Sequence, residues 1–415
     1  MPASPLPWLN QLRAEAVDRV SVLTVPTIRD EEWRFTDLSP FTRLSFQPVR
    51  MRVGLKAADV ERFRIAEATA QLVFVDGVYA PELSSVAPDG GVAIANLSAA
   101  GTAHVAAIEL HLGRHVEFRD SVFAALNTAF LHDGAVVVVP RDVVAGAPVH
   151  LLFIATQAGA ASYPRCLLVA ESGSAVTVVE DYVALQPETY FTNAVTEIAL
   201  GDGAHVDHVR VQRDSGQAFH VANCAVSLAT ASRYRSVSVA LGARISRYDL
   251  NVMHSAEGAE CTIDGLALIG EHQLADTHTC IDHAKPRGVS RQLHKCIAGG
   301  AAHAVFNGKI IVRPDAQRTN SSQSSRNLLL TPKARVDTKP QLEIFADDVK
   351  CAHGATVGQL DSEALFYLTS RGLSDTAARD LLTYAFGAEI IDRIPVASLR
   401  HWLERAVLEQ TARKP

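Results

Sequence analysis

Short apolar runs separated by turn residues dominate the middle of the chain. From about Gln71 onwards these runs alternate with turn signals such as Asp76-Gly77 and Asp133-Gly134. Runs of this kind predict β-strands, and Arg119–Phe130 is the main helical candidate among them. The clearest runs are Leu72–Val75, Val136–Val139, Val149–Ile154, Cys166–Val169, Ala175–Val179, Val195–Leu200, Val237–Leu241, Ile263–Ile269, Ala304–Val312 and Leu342–Phe345.

A recurring corner narrows the topology of this predicted β region. A long β chain needs a fold that leaves few strand edges open, which means a sandwich, a barrel, a propeller or a solenoid. A small-residue corner followed by an alternating strand recurs at irregular intervals of roughly 15 to 40 residues, as expected for a parallel β-helix with variable loops. The corners lie at Ser172–Val176, Asp202–Val206, Leu241–Ile245 and Glu257–Cys261. The pattern therefore favours the solenoid.

Helical spacing marks the N-terminal end of the chain. Leu9, Leu12 and Ala16 fall on one face of a predicted helix, and Pro26 ends the pattern. Asp59–Ala70 has a similar spacing. We therefore predict a helical N-terminal part over residues 1–70 and a β-helix core over residues 71–358.

The C-terminal end is also predicted to be helical, over residues 359–415. Asp361 and Ser374 are placed as helix caps, Gly372 ends the first helix, and Pro395 precedes the last one.

Composition and charge exclude several classes of protein. With 48% hydrophobic and 20% charged residues, the chain can bury a large core. Its net charge of −6 disfavours nucleic acid and anionic membranes as partners, and its apolar runs are too short to cross a bilayer. The first ten residues lack the pattern of a secretory signal, so we expect a cytoplasmic protein. Six widely spaced cysteines without a CxxC pair are then expected to be reduced thiols.

Motifs of nucleotide binding and hydrolysis are missing from the sequence. It contains no GxxxxGK[ST], strand–GxGxxG–helix, GxSxG or HExxH pattern. The serine-rich stretch of Ser321, Ser322, Ser324 and Ser325 is interpreted as a polar turn of the solenoid rather than as a source of a nucleophile.

Two short segments carry metal-binding residue types. In a strand, Asp276, His278 and Cys280 would share one face, but same-face neighbours lie about 7 Å apart and would need a partner strand to form a metal site. A polar outer face of the solenoid is the simpler interpretation. Cys351 and His353 would also share a face, and Lys350 is expected to lower the pKa of the thiol. This pair is either structural or half of a metal site completed by another chain.

At these residues the chain resembles a known family. The stretch Arg318–Leu373 is similar to the shared signature of the SufB/SufD family, the scaffold proteins of the SUF iron–sulfur assembly system. The chain is more similar to SufD than to SufB, because it is short for a SufB and lacks the N-terminal cysteine cluster of many SufB proteins. Further similar stretches are Glu31–Phe41, Ala125–Pro140 and Asp276–Pro286.

The resemblance implies a fold, partners and a site. It implies a mainly β protein with a right-handed parallel β-helix core, flanked by helical parts. It implies a non-catalytic subunit that pairs with SufB through the ends of their solenoids and binds the ATPase SufC through its C-terminal helices. His353, and with less support Cys351, would then help to hold a transient iron–sulfur cluster at the SufB interface. The resemblance leaves room for a reduced flavin in the complex, although no residue of this sequence indicates a flavin site.

Three other interpretations of the sequence remain open. The chain could be a SufB-like scaffold that works as a homodimer, and a homodimer is also possible when it is expressed alone. It could also be a β-helix enzyme that processes carbohydrate, although the sequence has neither a secretory signal nor an evident acidic cluster. In a third alternative, Cys351 and His353 are inert and purely structural.

Overall fold

The computed structural model describes residues 6–87 and 91–413, so the extreme ends of the predicted N- and C-terminal parts lie outside the described residues. Its helices are α1 (Pro7–Val22), α2 (Ser39–Thr42), α3 (Ala57–Val60), α4 (Leu97–Ala103), α5 (Val105–His111), α6 (Val122–Ala129), α7 (Ser362–Ser370), α8 (Asp375–Ile391) and α9 (Ala397–Arg413). Short 3₁₀ turns lie at Glu31–Trp33, Glu61–Phe63 and Pro81–Leu83. Within the described ranges, no helix is long and apolar enough to cross a membrane.

From residue 135 to residue 358 the chain consists of strands joined by short connections, with no helix between them. Before that region lie β1 (Gln47–Pro48), β2 (Ala70–Val75), β3 (Val78–Tyr79), β4 (Ser85–Val86) and β5 (Ala93–Asn96). The others are β6 (Ala135–Val139), β7 (Val149–Ala155), β8 (Ala160–Ser162), β9 (Arg165–Ala170), β10 (Ala175–Ala184), β11 (Phe191–Leu200), β12 (His205–Arg213), β13 (Phe219–Leu228), β14 (Arg233–Ala240), β15 (Ile245–His254), β16 (Glu260–Ile269), β17 (Leu274–His283), β18 (Val289–Ala298), β19 (His303–Val312), β20 (Asn320–Leu329), β21 (Arg335–Ile344) and β22 (Lys350–Gly358).

These strands form two facing sheets of a parallel solenoid, which confirms the predicted fold class. Sheet 1 runs β2-β7-β10-β12-β14-β16-β18-β20-β22, and sheet 2 runs β5-β6-β9-β11-β13-β15-β17-β19-β21. From β10 onwards the chain alternates between the sheets, and each strand pairs in parallel with the strand two places further along. Each turn therefore contributes one strand to each sheet and stacks in register on the turn before it.

The repeat is regular, so the irregular spacing expected from the corners is wrong. Equivalent positions in successive strands of sheet 1 recur every 27 to 31 residues, at Ala175, His205, Arg233, Glu260, Val289, Asn320 and Lys350. The corner at Leu241–Ile245 leads into β15 of sheet 2, whereas the other three corners lead into sheet 1. The interval looks irregular in the sequence because the four corners belong to two different sheets.

The predicted helical and turn segments were partly right. Helix α6 lies within the predicted Arg119–Phe130, and α7 and α8 begin with side-chain caps from Asp361 and Ser374, as predicted. Helices α4 and α5 were missed. The helix expected over Asp59–Ala70 is wrong, because only a turn of helix and a 3₁₀ turn precede β2. The serine-rich stretch is not a turn but the strand β20.

The C-terminal helices pack on the outer face of sheet 1. Ile390, Ile391 and Leu403 belong to one buried apolar cluster with Val237 and Leu266 of the sheet. Polar contacts at the rim of this cluster join α8 to the same sheet, because Glu389 lies 2.5 Å from Lys295 and the guanidinium of Arg393 lies 2.6 Å from Asp264. The helical part is thus fixed to the solenoid by both burial and charge.

The N-terminal segment covers the outer face of sheet 2 near its middle. The ring of Phe41 lies 4.8 Å from that of Phe191 and 5.5 Å from that of Phe219, measured between centroids. Aromatic pairs at these distances and tilts are favourable beyond the area that they bury. At the far end of the solenoid, in contrast, strand β22 is exposed along almost its whole length.

Candidate functional site

The last turn of the solenoid presents an open end. Strand β21 pairs with β19 and strand β22 with β20, and no strand of the described residues pairs with their other edges. Apolar side chains are exposed there, with Phe345 62%, Val357 48% and Ile344 40% exposed. Unpaired strand edges beside exposed apolar groups are the usual features of a surface that another chain covers. We call β21, β22 and Phe345 the open end.

Cys351 and His353 both lie on β22, at this open end. In the register with β20, Cys351 is opposite Ser321 and His353 is opposite Gln323. Ser321 and Gln323 are buried in the interior of the solenoid. Because side chains alternate along a strand, Cys351 and His353 project over the interior rather than over the outer face. The structure thus brings the two predicted site residues together on the exposed end of the molecule.

Burial raises the pKa of the Cys351 thiol. The half-buried side chain packs against the apolar cluster of Ile310, Val312, Ala316 and Ala346, and the loss of solvation outweighs the opposing hydrogen bond from the Ser321 backbone. The expectation that Lys350 would lower this pKa is wrong, since an adjacent residue on a strand points to the opposite face. At neutral pH Cys351 is a thiol, and a metal that binds it must displace the proton.

This protonation state can be measured by alkylation. In a Cys280→Ser background, we expect the rate at which iodoacetamide modifies Cys351 to rise with a midpoint above pH 9.0, the ordinary value of the thiol. The other four cysteines are buried and will react slowly. Adding Lys350→Ala should leave the midpoint unchanged. A midpoint below about 8.5 that moves upward in the Lys350→Ala variant would instead show that the lysine controls the thiol.

The interior beneath Cys351 is polar. Ser321 Oγ lies 2.6 Å from Ser290 Oγ, which lies 3.0 Å from His283 Nε2. These side chains satisfy one another across the two sheets, so a polar interior is compatible with a stable solenoid. Sequence reasoning missed this feature. The signal that could have found it is the alternation of Ser321, Gln323, Ser325 and Asn327, which has the period of a strand.

The second predicted segment lies elsewhere, on the outer face of sheet 2. As expected, Asp276, His278 and Cys280 share that outer face, but the N-terminal segment covers them in part. Asp276 accepts hydrogen bonds from Arg247 and from Thr36 Oγ1, each 2.6 Å long. In the described part of the chain, no three His, Cys, Asp or Glu side chains are grouped so as to hold a metal ion. The segment is held in salt bridges instead.

A cavity of about 750 Å³ lies between this face and the N-terminal segment. Its lining includes Trp33, Asn223, Asn251, Cys280 and Lys309. Burial raises the pKa of Cys280 to about 11, so its thiol is protonated at neutral pH. The cavity is separate from the open end and contains neither Cys351 nor His353.

His278 makes the stability of this region dependent on pH. Burial opposes its charged form, but the charge of Asp276 and hydrogen bonds with Asp276 and Glu32 raise its pKa to about 9. The stability that its charge contributes is fully present below pH 6.5, the ordinary pKa, and is lost between pH 6.5 and about 9. We expect the free energy of unfolding to fall over this window by on the order of 2 kcal/mol more than in His278→Gln. Urea unfolding at pH 6.5 and 9 measures this, and equal losses in the two proteins would contradict it.

A third surface lies on the C-terminal helices. Phe366 is 74% and Tyr367 57% exposed on α7, and Leu381 is 44% exposed on α8. Exposed aromatic residues on a short helix are typical of a surface that docks another protein.

Comparison with known proteins identifies the family. A family model described as "SUF system FeS cluster assembly, SufBD core domain" matches residues 153–386, more than half of the chain. A second, described as "SufBD protein N-terminal region", matches residues 2–151. The chain belongs to the SufBD family. The family core model therefore spans β7 to the middle of α8 and includes the open end with Cys351 and His353.

The sequence alignments with relatives cover nearly the whole length of this SufBD chain. It is 42% identical over 411 residues to an iron–sulfur cluster assembly SufBD family protein of Synechocystis, which covers 95% of this chain and 89% of the relative. It is 32% identical over 375 residues to the iron–sulfur cluster assembly protein SufD of Escherichia coli, covering 89% and 85%. The SufD of Bacillus subtilis is 27% identical over 418 residues, covering 95% and 92%. The resemblance to SufD is thereby confirmed.

Proposed function

We propose that this chain is the scaffold subunit that pairs with SufB through the open end of its solenoid. The main observation that supports this proposal is the exposure of strand edges and apolar side chains at the end that carries Cys351 and His353. Within the described residues, the outer edges of β21 and β22 pair with no other strand. A second solenoid could stack on this end and continue the interior, because the register of every turn is already set by the one before it. Such stacking would bury Phe345 and Val357 and satisfy the free strand edges.

Pairing would also complete a site for a nascent iron–sulfur cluster. An imidazole and a thiol are ligands that iron in such clusters accepts, but two ligands do not fill the coordination of a cluster. The remaining ligands would come from SufB across the interface. In this arrangement iron and sulfide are cargo, assembled where His353 and Cys351 face the partner and released afterwards.

ATP hydrolysis is assigned to the partner SufC rather than to this chain. The sequence has no phosphate-binding loop, and the exposed Phe366 and Tyr367 of α7 offer a docking surface on the C-terminal helices. This chain then acts as a non-catalytic subunit. Movement of SufC would reach the solenoid through α8, which is tied to sheet 1 by Arg393–Asp264 and Lys295–Glu389.

The assembly can be tested by native mass spectrometry. We expect co-expression with SufB and SufC to yield a complex of one SufB, one copy of this chain and two SufC. The variant Phe366→Ala/Tyr367→Ala should lose one SufC and keep SufB, because only the docking surface on α7 is changed. If the wild-type chain stays alone, or forms only a homodimer in the presence of both partners, the proposal fails and the SufB-like alternative is favoured.

A further inference from the structure

The cavity on the outer face of sheet 2 has the size of a ligand site. Its volume of about 750 Å³ falls within the range of roughly 300–1,000 Å³ that ligand pockets occupy. One wall consists of side chains from β13, β15, β17 and β19, and the rest comes from residues 23–33 and 115–123. Neither the open end nor the docking surface on α7 contributes to this lining, so the cavity is separate from both.

Two amide side chains that line the cavity have atoms without a hydrogen-bond partner. Asn307 is 5% exposed, and its Nδ2 donates to Glu32 Oε2 at 3.3 Å. Within the described residues, neither the buried Oδ1 of Asn307 nor the buried Nδ2 of Asn223 makes a hydrogen bond. Buried polar atoms are nearly always paired, because leaving one unpaired costs free energy. The lining therefore has one acceptor and one donor that a ligand can satisfy.

Asn223 and Asn307 lie at the two ends of one row of side chains across four strands. Asn223 is opposite Asp249, Asp249 is opposite His278, and His278 is opposite Asn307. Neighbouring strands lie about 4.8 Å apart, so the two ends of the row are about 14 Å apart. A ligand that reaches both amides must be elongated. An extended peptide of about four residues has this length, and its backbone supplies both donors and acceptors.

The charges of the lining disfavour an acidic ligand. Arg247 is paired with Asp249 at 2.8 Å and His278 with Glu32 at 3.2 Å, so these charges compensate one another within the protein. The other lining side chains that are charged at neutral pH are mostly carboxylates. They are Asp30, Glu117 and Asp120, beside the single cation Lys309. An uncharged or basic ligand avoids the repulsion that a negatively charged one would meet.

Apolar surface completes the lining. It comes from the aromatic rings of Trp33 and Phe123 and from Val122 and Ala225. The guanidinium of Arg247 lies 4.2 Å from the centroid of the Trp33 ring and helps to hold that ring beside the cavity. A peptide offers apolar side chains to such a surface in addition to its backbone groups.

We propose that this cavity binds an extended peptide segment of another protein, with an uncharged or basic sequence. A backbone N–H of the peptide donates to Asn307 Oδ1, and a backbone carbonyl accepts from Asn223 Nδ2. An apolar side chain of the peptide packs against Trp33 and Phe123. The site depends neither on pairing with SufB nor on the assembly of a cluster, so it stands or falls separately from the proposed function.

The test uses the full-length chain and a displayed library of short random peptides as the probe. We expect selection on the immobilised chain to enrich peptides that are poor in aspartate and glutamate. An enriched peptide, synthesised and added at saturation, should slow the modification of Cys280 by iodoacetamide about ten-fold, because that thiol lines the cavity. A Cys351→Ser background isolates this reaction, since the other four cysteines are buried.

Asn223→Leu and Asn307→Leu should each weaken the binding of the enriched peptide about ten-fold, because a peptide group is left unpaired. Asn320→Leu is the matched control, since Asn320 is exposed on β20 and does not line the cavity. Its affinity should equal that of the wild type. If Asn307→Leu does not fold, Asn223→Leu decides.

Four results would overturn the inference. Selection enriches no peptide, or it enriches acidic ones. Enriched peptides leave the rate at Cys280 unchanged, which places them elsewhere on the chain. Finally, the folded Asn223→Leu and Asn307→Leu variants bind the peptide as tightly as Asn320→Leu does.

Discussion

Replacing His353 by alanine is expected to lower the iron–sulfur cluster that the co-expressed complex with SufB and SufC accumulates by more than about ten-fold. Loss of a direct ligand should cost at least as much affinity as loss of the groups that orient a ligand, which is the basis of that figure. The chain itself should fold normally, because the His353 side chain is exposed. Anaerobic reconstitution with iron and sulfide, followed by absorbance and iron analysis, measures the effect.

The matched control for His353 is Thr356→Ala. Thr356 is exposed on the same strand, but it alternates to the other face and does not project over the interior. The complex that contains the Thr356→Ala variant should bind as much cluster as the wild-type complex. Cys351→Ala addresses the second predicted ligand in the same assay. Equal cluster content in wild type, His353→Ala and Cys351→Ala would show that the pair is purely structural.

Replacing Arg165 by methionine is expected to destabilise the chain by about 3–5 kcal/mol, the usual cost of breaking a buried ion pair. Arg165 is 1% exposed and pairs with Glu197 beneath the N-terminal helices, where it also donates to Asn127 of α6. Burial opposes the charge of Glu197, but Arg165 and backbone N–H groups at Gly113 and His115 lower its pKa. The variant would leave this carboxylate charged and buried without its cation.

Urea unfolding of the isolated chain measures the loss. The control is Arg233→Met, which removes one partner of an exposed pair with Glu260 on the outer face of sheet 1. Exposed pairs contribute between zero and about 1 kcal/mol, so the control should lie close to the wild type. If the two variants lose similar stability, the buried pair is not what fastens the N-terminal helices to the solenoid.

The solenoid could be predicted from the sequence because its strands are apolar and its corners consist of small residues. Runs such as Val136–Val139 and Val149–Ile154 form buried strands, and the glycine of Asp202-Gly203 sits at a positive φ, as tight corners require. The regular repeat could not be predicted from the sequence, because successive strands belong alternately to the two sheets. In addition, some corners, such as the one before Arg233, contain no glycine.

The errors arose where burial depends on partners distant in sequence. β20 is rich in serine, which looks like a turn until Ser290 and Gln292 of the neighbouring strand are known to hydrogen-bond its Ser321 and Gln323. Lys350 is adjacent to Cys351 in the chain, yet the burial of the thiol decides its pKa. The placement of Cys351 and His353 on one face could be predicted because their spacing lies within one strand.

Hydrogen–deuterium exchange of the chain, alone and with SufB bound, tests the central claim most directly. Amides at the free edges of β21 and β22 have no strand partner in the isolated chain, and pairing through the open end would protect them. The account predicts that protection on SufB binding is concentrated in Arg335–Ile344 and Lys350–Gly358, while the outer face of sheet 2 exchanges as before. Unchanged exchange in these two strands, with protection appearing elsewhere on the chain, would contradict it.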